Sequence, residues 1–157
     1  MKALVIYDTF FGNTEKVARA ISDSLGAESS AIRVADAKHE QLNGLGLLVV
    51  GSPTRAFRPT KPISQFLDGM PRDALRGVKV AAFDTRMSEA ELNSPMLGFM
   101  VKIFGYASKP ILDKLVRKGG EVAAPPEGFI VDASEGPLRE GELEQAAEWA
   151  KRIAGAQ

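Results

Sequence analysis

The stretch Lys2-Ala3-Leu4-Val5-Ile6-Tyr7-Asp8-Thr9-Phe10-Phe11-Gly12-Asn13-Thr14 decides the architecture. Lys2 to Tyr7 is an almost unbroken apolar run with β-branched residues, which suits a strand buried on both faces. A short loop with hydroxyls and a glycine follows. Asn13 to Leu25 then repeats at helical spacing, with Val17, Ile21 and Leu25 on one face and Ala18 and Ala20 beside them. Gly26 is the expected stop.

The same alternation continues along the chain. Short runs predict strands over Ala31–Val34, Leu45–Val50 and Val78–Phe83, the last ending at Asp84. Helices are expected over Thr60–Leu67, with Pro62 in the first turn, and over Ser108–Lys118, with Ile111, Leu112, Leu115 and Val116 on one face. Glu121 to Val131 reads as a strand broken at Pro125-Pro126. A closing helix spans Gly141–Ile153, with Leu143, Ala146, Ala147, Ala150 and Ile153 inward. Alternating helices and two-sided strands mean an α/β fold, a parallel sheet covered on both faces. The expectation is one domain over residues 1–157, since that length is ordinary for a single core.

Composition removes whole classes of chemistry. There is no cysteine, so disulfides, thiolate nucleophiles and Cys-held metals are excluded, and one histidine, His39, gives a triad or metal cluster little to build on. Twenty Lys and Arg balance twenty Asp and Glu, so no basic excess marks a nucleic-acid binder, although a local patch can hide in that total. No apolar run is long enough for a transmembrane segment or a signal-peptide core, and a cytoplasmic location is expected. His39, in a polar connector, reads as a surface residue without a role. Glu127 and Asp132 read as solvated.

In parallel sheets ligands sit beyond the carboxyl ends of the strands, so the residues after each strand matter most. After the first stand Asp8 to Thr14. Backbone N–H groups at a helix start, helped by the helix dipole, can hold a phosphate without Lys or Arg. The alternative is an ordinary N-cap from Asn13 or Thr14. The loop is neither the lysine-bearing nucleotide loop nor the dinucleotide fingerprint. After the strand ending at Val50 comes Gly51-Ser52-Pro53-Thr54-Arg55-Ala56-Phe57-Arg58-Pro59-Thr60. After the next comes Asp84-Thr85-Arg86-Met87. A phospho-receiver would need a carboxylate where Gly51-Ser52-Pro53 stands. A small tyrosine phosphatase would need a cysteine.

Three loops in this order resemble the three flavin loops of the flavodoxin family. Thr9-Phe10-Phe11-Gly12-Asn13-Thr14 is similar to its phosphate loop, [ST]-x-T-G-N-T, and the likeness runs on through the closing Glu148-Trp149-Ala150-Lys151 helix. It implies a doubly wound flavodoxin-like fold of the short-chain form, five parallel strands in the order 2-1-3-4-5 with helices on both faces. It implies FMN as cofactor and no metal. It implies a cofactor site of Thr9, Phe10, Phe11, Gly12, Asn13 and Thr14 at the phosphate, with Pro53, Thr54, Arg55, Ala56 and Phe57 beside one flavin face. Asp84, Thr85, Arg86 and Met87 would meet the other face and the pyrimidine edge. The function implied is one- or two-electron transfer between redox partner proteins, a reductase and an acceptor, by a monomer or weak dimer with no catalytic residues of its own. The alternatives are an FMN-dependent NAD(P)H, quinone or protoporphyrinogen-type oxidoreductase, or a module that has lost its cofactor.

The chain departs from the family pattern in four ways. Phe11 replaces a threonine, Arg55 stands where many members place a stacking tryptophan, and Met87 stands where many place a tyrosine. Phe57 and Met87 are expected to supply part of the missing stacking. The family is usually strongly acidic, whereas this chain is neutral and puts Arg55, Arg58 and Arg86 near the ring site. A raised potential for the second electron is the expected consequence. Finally, Ser94 to Tyr106 is rich in large apolar residues. It is expected to be a helical turn packed on the sheet, with a lid, a dimer patch or a docking surface as the alternatives.

Overall fold

The computed structural model describes residues 1–88 and 94–155. The elements are β1 (Ala3–Tyr7), α1 (Asn13–Leu25), β2 (Ser29–Arg33), β3 (Leu47–Pro53), α2 (Lys61–Asp68), β4 (Lys79–Met87), α3 (Pro95–Phe104), α4 (Ser108–Arg117), β5 (Glu121–Val122), β6 (Glu127–Val131) and α5 (Glu142–Ala154). All named strand pairings are parallel, in the order β2-β1-β3-β4, with β5 and then β6 on the far side of β4. The fifth strand of the expected 2-1-3-4-5 sheet is therefore in two pieces. Between Val80 and Phe83, two residues of β4 face the four residues 123–126 of the outer strand, which carry Pro125 and Pro126. Proline has no N–H for a ladder bond, so the strand breaks there.

Alternation along the strands sends their side chains to two cores. Leu4, Ile6, Leu48, Val50 and Val80 meet Ile63 and Leu67 of α2 and Ile111 and Leu115 of α4. Val5, Leu47, Val49 and Phe83 meet Val17 and Ile21 of α1 and Ala146, Trp149 and Ile153 of α5. Phe83, Phe129 and Trp149 pack edge-to-face with centroids 5.9 to 6.2 Å apart, each pair contributing about 1 kcal/mol beyond its buried area. Trp149 was absent from the expected inward face of the last helix, while Leu143 and Val116, both placed inward, are exposed.

Two strands run further than their apolar runs. β3 includes Gly51, Ser52 and Pro53, and β4 includes Asp84 to Met87, because each of these stretches is hydrogen-bonded to a neighbouring strand. Gly51 is required there, since a Cβ would sit 2.0 Å from the Phe83 ring. The second strand starts two residues and ends one residue earlier than expected, and Val34 opens a 3₁₀ turn instead. The Ser94–Tyr106 segment forms α3, yet it packs less than expected. Val101 is buried, whereas Met96 and Phe99 are exposed. His39 does have a role: its ring packs 4.7 Å from Phe66, and Nε2 lies 3.1 Å from the Phe66 carbonyl oxygen. Glu127 and Asp132 are not merely solvated, for they meet Arg152 at 3.5 Å and Arg139 at 3.1 Å. No helix among the described residues is long and apolar enough to cross a membrane.

Candidate functional site

Parallel pairing brings the ends of β1, β3, β4 and β6 to one edge of the sheet. From β1 the winding runs one way to β2 and the other way to β3, so the loops after β1 and β3 diverge and leave a crevice. The crevice is lined by Thr9, Phe10, Phe11, Asn13, Thr14, Pro53, Thr54, Arg55, Thr85, Arg86 and Met87, together with Val131 and Ser134. Most of the expected site residues thus converge from three separate loops.

At one end stands the start of α1. Gly12 precedes it with φ 90° and ψ −6°, a left-handed conformation that glycine adopts freely, and no side chain caps the helix. Asn13 and Thr14 do not act as caps. The Asn13 Nδ2 donates to the Glu135 carbonyl (3.0 Å), and the Thr14 and Thr85 hydroxyls bond each other at 2.9 Å. The first N–H groups of a helix have no partner within it, so these donors face the crevice with the positive end of the dipole. The Thr9 hydroxyl accepts from Gly12 N–H (2.9 Å), which folds the loop and leaves its own proton to donate. Of the Thr14–Thr85 pair, one proton is likewise left over.

Asp8 is close by but spent. Its buried carboxylate accepts from Thr9 N–H (2.9 Å) and from the Thr60 hydroxyl (2.6 Å), and it pairs with Arg33 at 3.4 Å. Among the described residues, none that lines the crevice is acidic. FMN, the cofactor that the resemblance implies, fits this end: uncapped amides and free hydroxyl protons, with no carboxylate among the described lining residues, suit a phosphate ester.

The other end differs. Asp84 is fully buried in β4, where Arg86 donates to both of its oxygens (2.6 and 2.7 Å) and Ser108 N–H donates to Oδ2 (2.9 Å). The Arg86 guanidinium also lies 3.6 Å from the centre of the Tyr106 ring. Asp84 therefore does not reach the crevice, and the charge of Arg86 is balanced by it. Thr54 is fixed between strands and helix: its N–H donates to the Thr85 carbonyl (3.0 Å), and its hydroxyl accepts from Ala107 N–H (3.2 Å).

Arg55 and Arg58 exchange backbone hydrogen bonds (2.9 and 3.0 Å) across a tight turn whose central residues, Ala56 and Phe57, have φ of 49° and 68°. Two left-handed central residues define the primed hairpin turn, and each non-glycine residue there costs roughly 1–2 kcal/mol. Ala56 and Phe57 are not among the crevice-lining residues; Phe57 borders a second groove with Met100. The Arg55 guanidinium instead stands 4.8 Å from the Phe10 ring centre and 5.9 Å from that of Phe11. Ser134 and Val131 were missed. Their signal was positional, because they follow the last strand at the same carboxyl edge.

The zero net charge hides a segregation. Residues 53–72 and 107–120, which carry the turn, α2 and α4, hold eight Lys and Arg against two acids. Residues 121–157 hold eight acids against three Lys and Arg. On the basic side, the hydrogen bond from Lys114 (2.5 Å) holds the Asp68 carboxyl below its ordinary range.

Comparison with known proteins agrees with this geometry. The fold matches a flavodoxin from the domain Archaea with a TM-score of 0.76 at 23% identity, over 98% of this chain and 96% of that one. It matches flavodoxin 1 of Bacillus cereus with a TM-score of 0.75 at 19% identity, over 98% and 97%. It also matches rubredoxin oxygen:oxidoreductase of Desulfovibrio gigas with a TM-score of 0.74 at 21% identity, over 99% of this chain but 35% of that larger one. No curated protein matches the chain in sequence. The model of the flavodoxin domain matches residues 4–117, which include the loops after β1, β3 and β4. By that match, and by a sheet wound in the flavodoxin order, the chain belongs to the flavodoxin family.

Proposed function

We propose that this chain is an FMN-carrying electron-transfer protein that works between redox partner proteins in the cytoplasm. Flavodoxins are FMN-binding flavoproteins that pass electrons to partner proteins. The observation that carries the reading is the open start of α1. Three loops gather hydroxyls around uncapped amides, and the buried carboxylate of Asp8 at the end of β1 is tied off by Thr60 and Arg33.

In this reading FMN supplies the redox chemistry and the chain supplies binding and electrostatics. The loop amides, Thr9 and the Thr14–Thr85 pair hold the phosphate. Thr54, Arg55 and Met87 flank the remainder of the cofactor, and Ser134 adds a hydroxyl from the β6–α5 loop. Arg55 is the one crevice cation whose charge no acid balances among the described residues, so it carries the expected rise in the second-electron potential that Arg86 does not.

The test is direct. The purified protein should absorb near roughly 375 and 450 nm, and the stripped protein should quench added FMN fluorescence at a 1:1 ratio. A colourless preparation that ignores added FMN would leave only the fold. Rapid oxidation of NAD(P)H by the loaded protein alone would instead favour a reductase.

A further inference from the structure

Beside the crevice lies a groove of about 680 Å³, which shares Phe10 and Arg55 with it. Pro59, Pro62 and Pro110 line the groove with apolar surface, the exposed Arg58 and Lys61 and the half-buried Lys114 line it too, and no acid is among its described lining residues. Lys114 is engaged by Asp68, and Arg55 stands over two phenyl rings. Arg58 and Lys61 are exposed and have no acidic partner among the described residues. Beyond Lys114, Arg72, Arg117 and Lys118 line a further groove around Asp68.

We propose that this face docks an acidic redox partner protein, with the Arg58–Lys61 pair placing it over Phe10 at the mouth of the crevice. The inference rests on the carrier reading and adds the chemistry of the partner. Three observations carry it. An apolar lining with exposed charged residues beside it has the make-up of a transient protein interface. Arg58 and Lys61 have no acidic partner among the described residues, so their field extends into solvent and steers an oppositely charged body toward the groove. The acids of the chain are concentrated in residues 121–157, and α5, which carries several of them, covers the opposite face of the sheet from α2 and α4, so the molecule has a positive side to present. The polarity is the reverse of that of the strongly acidic carriers that this chain resembles.

The probe is a plant-type [2Fe–2S] ferredoxin, a small acidic protein, with the basic cytochrome c as the opposite-charge control. Two readouts are used. The first is electron transfer from dithionite-reduced ferredoxin to the FMN-loaded protein by stopped flow. The second is association of oxidised ferredoxin with the protein by calorimetry, which needs no flavin. The native rate and affinity should fall at least tenfold as salt rises from about 10 to 300 mM, because the screening length shrinks from about 30 Å to under 10 Å. The double variant Arg58→Glu and Lys61→Glu should lose at least tenfold in both readouts at low salt and flatten the salt dependence. It should gain toward cytochrome c, while the FMN affinity stays unchanged. Equal behaviour of the native protein and the double variant toward ferredoxin would overturn the docking face. So would NADPH binding that the double variant abolishes while ferredoxin is ignored. If the carrier reading itself fails, the protein stays colourless, and the calorimetric arm still decides the face.

Discussion

The two ends of the crevice are built on opposite rules. At the start of α1 the backbone donors are left without partners, and at the end of β4 every charged group has one. Gly12 opens α1 without a cap, whereas Asp84 is buried with Arg86 on both oxygens and Ser108 N–H on one of them. The nearby start of α2 makes the contrast sharper, because there Thr60 caps Ile63 N–H and donates to Asp8. Unsatisfied donors cost free energy unless a ligand or water meets them, and the proposed phosphate position rests on this open helix start beside two closed clusters.

The closed end breaks with the largest effect. Arg86→Met leaves the Asp84 carboxylate buried without its main partner and should cost about 3–5 kcal/mol, read as a lower denaturant midpoint. Adding Asp84→Asn should recover most of that loss. If Arg86→Met costs under 1 kcal/mol, the cluster is not the closed unit described above.

The open end is tested by charge. Gly12→Asp and Gly12→Asn impose a similar backbone cost of about 1 kcal/mol, since both residues tolerate the left-handed region better than others do. Only Asp sets a negative charge against the phosphate, so its FMN affinity should be weaker than that of the Asn variant by about 100-fold. Equal affinities would place the phosphate elsewhere.

Uncapping α2 gives the reciprocal case. Thr60→Ala removes a cap and a buried hydrogen bond to Asp8, a loss of about 2 kcal/mol, or about 4–8 °C in Tm for a chain of this length. FMN affinity should change less than threefold, which calorimetry can resolve.

A smaller effect separates the two crevice arginines. Arg55→Gln should lower the second-electron potential by about 40 mV, equivalent to a charge interaction of about 1 kcal/mol. Spectroelectrochemistry reads it directly, and an unchanged potential would place Arg55 away from the ring.

The smallest concerns Asp68, whose carboxyl is held below its ordinary range by the Lys114 hydrogen bond. A depressed pKa stabilises the fold above the unfolded carboxylate value, and that contribution fades as pH falls through the folded one. The Tm difference between native protein and Asp68→Asn should therefore shrink as pH is lowered through about 4 and beyond. A difference that is constant with pH would mean that the pair adds nothing.

By itself the sequence determined the sheet, the helices and the glycine-led start of α1. Those features are local: periodicity sets strand and helix, and a glycine followed by a helix start turns backbone amides toward one point whatever lies around them. Asn13–Leu25 appears with the expected bounds, and the break at Pro125-Pro126 lies where a missing N–H demands it. Only the tertiary structure decided the rest. Asp84 and Arg86 look like ligand groups in the chain but satisfy each other when β4 extends past its apolar run. Phe57 leaves the crevice because the turn that bears it is closed by hydrogen bonds between Arg55 and Arg58. Trp149, Ser134 and the basic groove depend on segments far apart in sequence. Burial and charge pairing act through space, and no local pattern records which distant group will arrive to balance a charge or cover a ring.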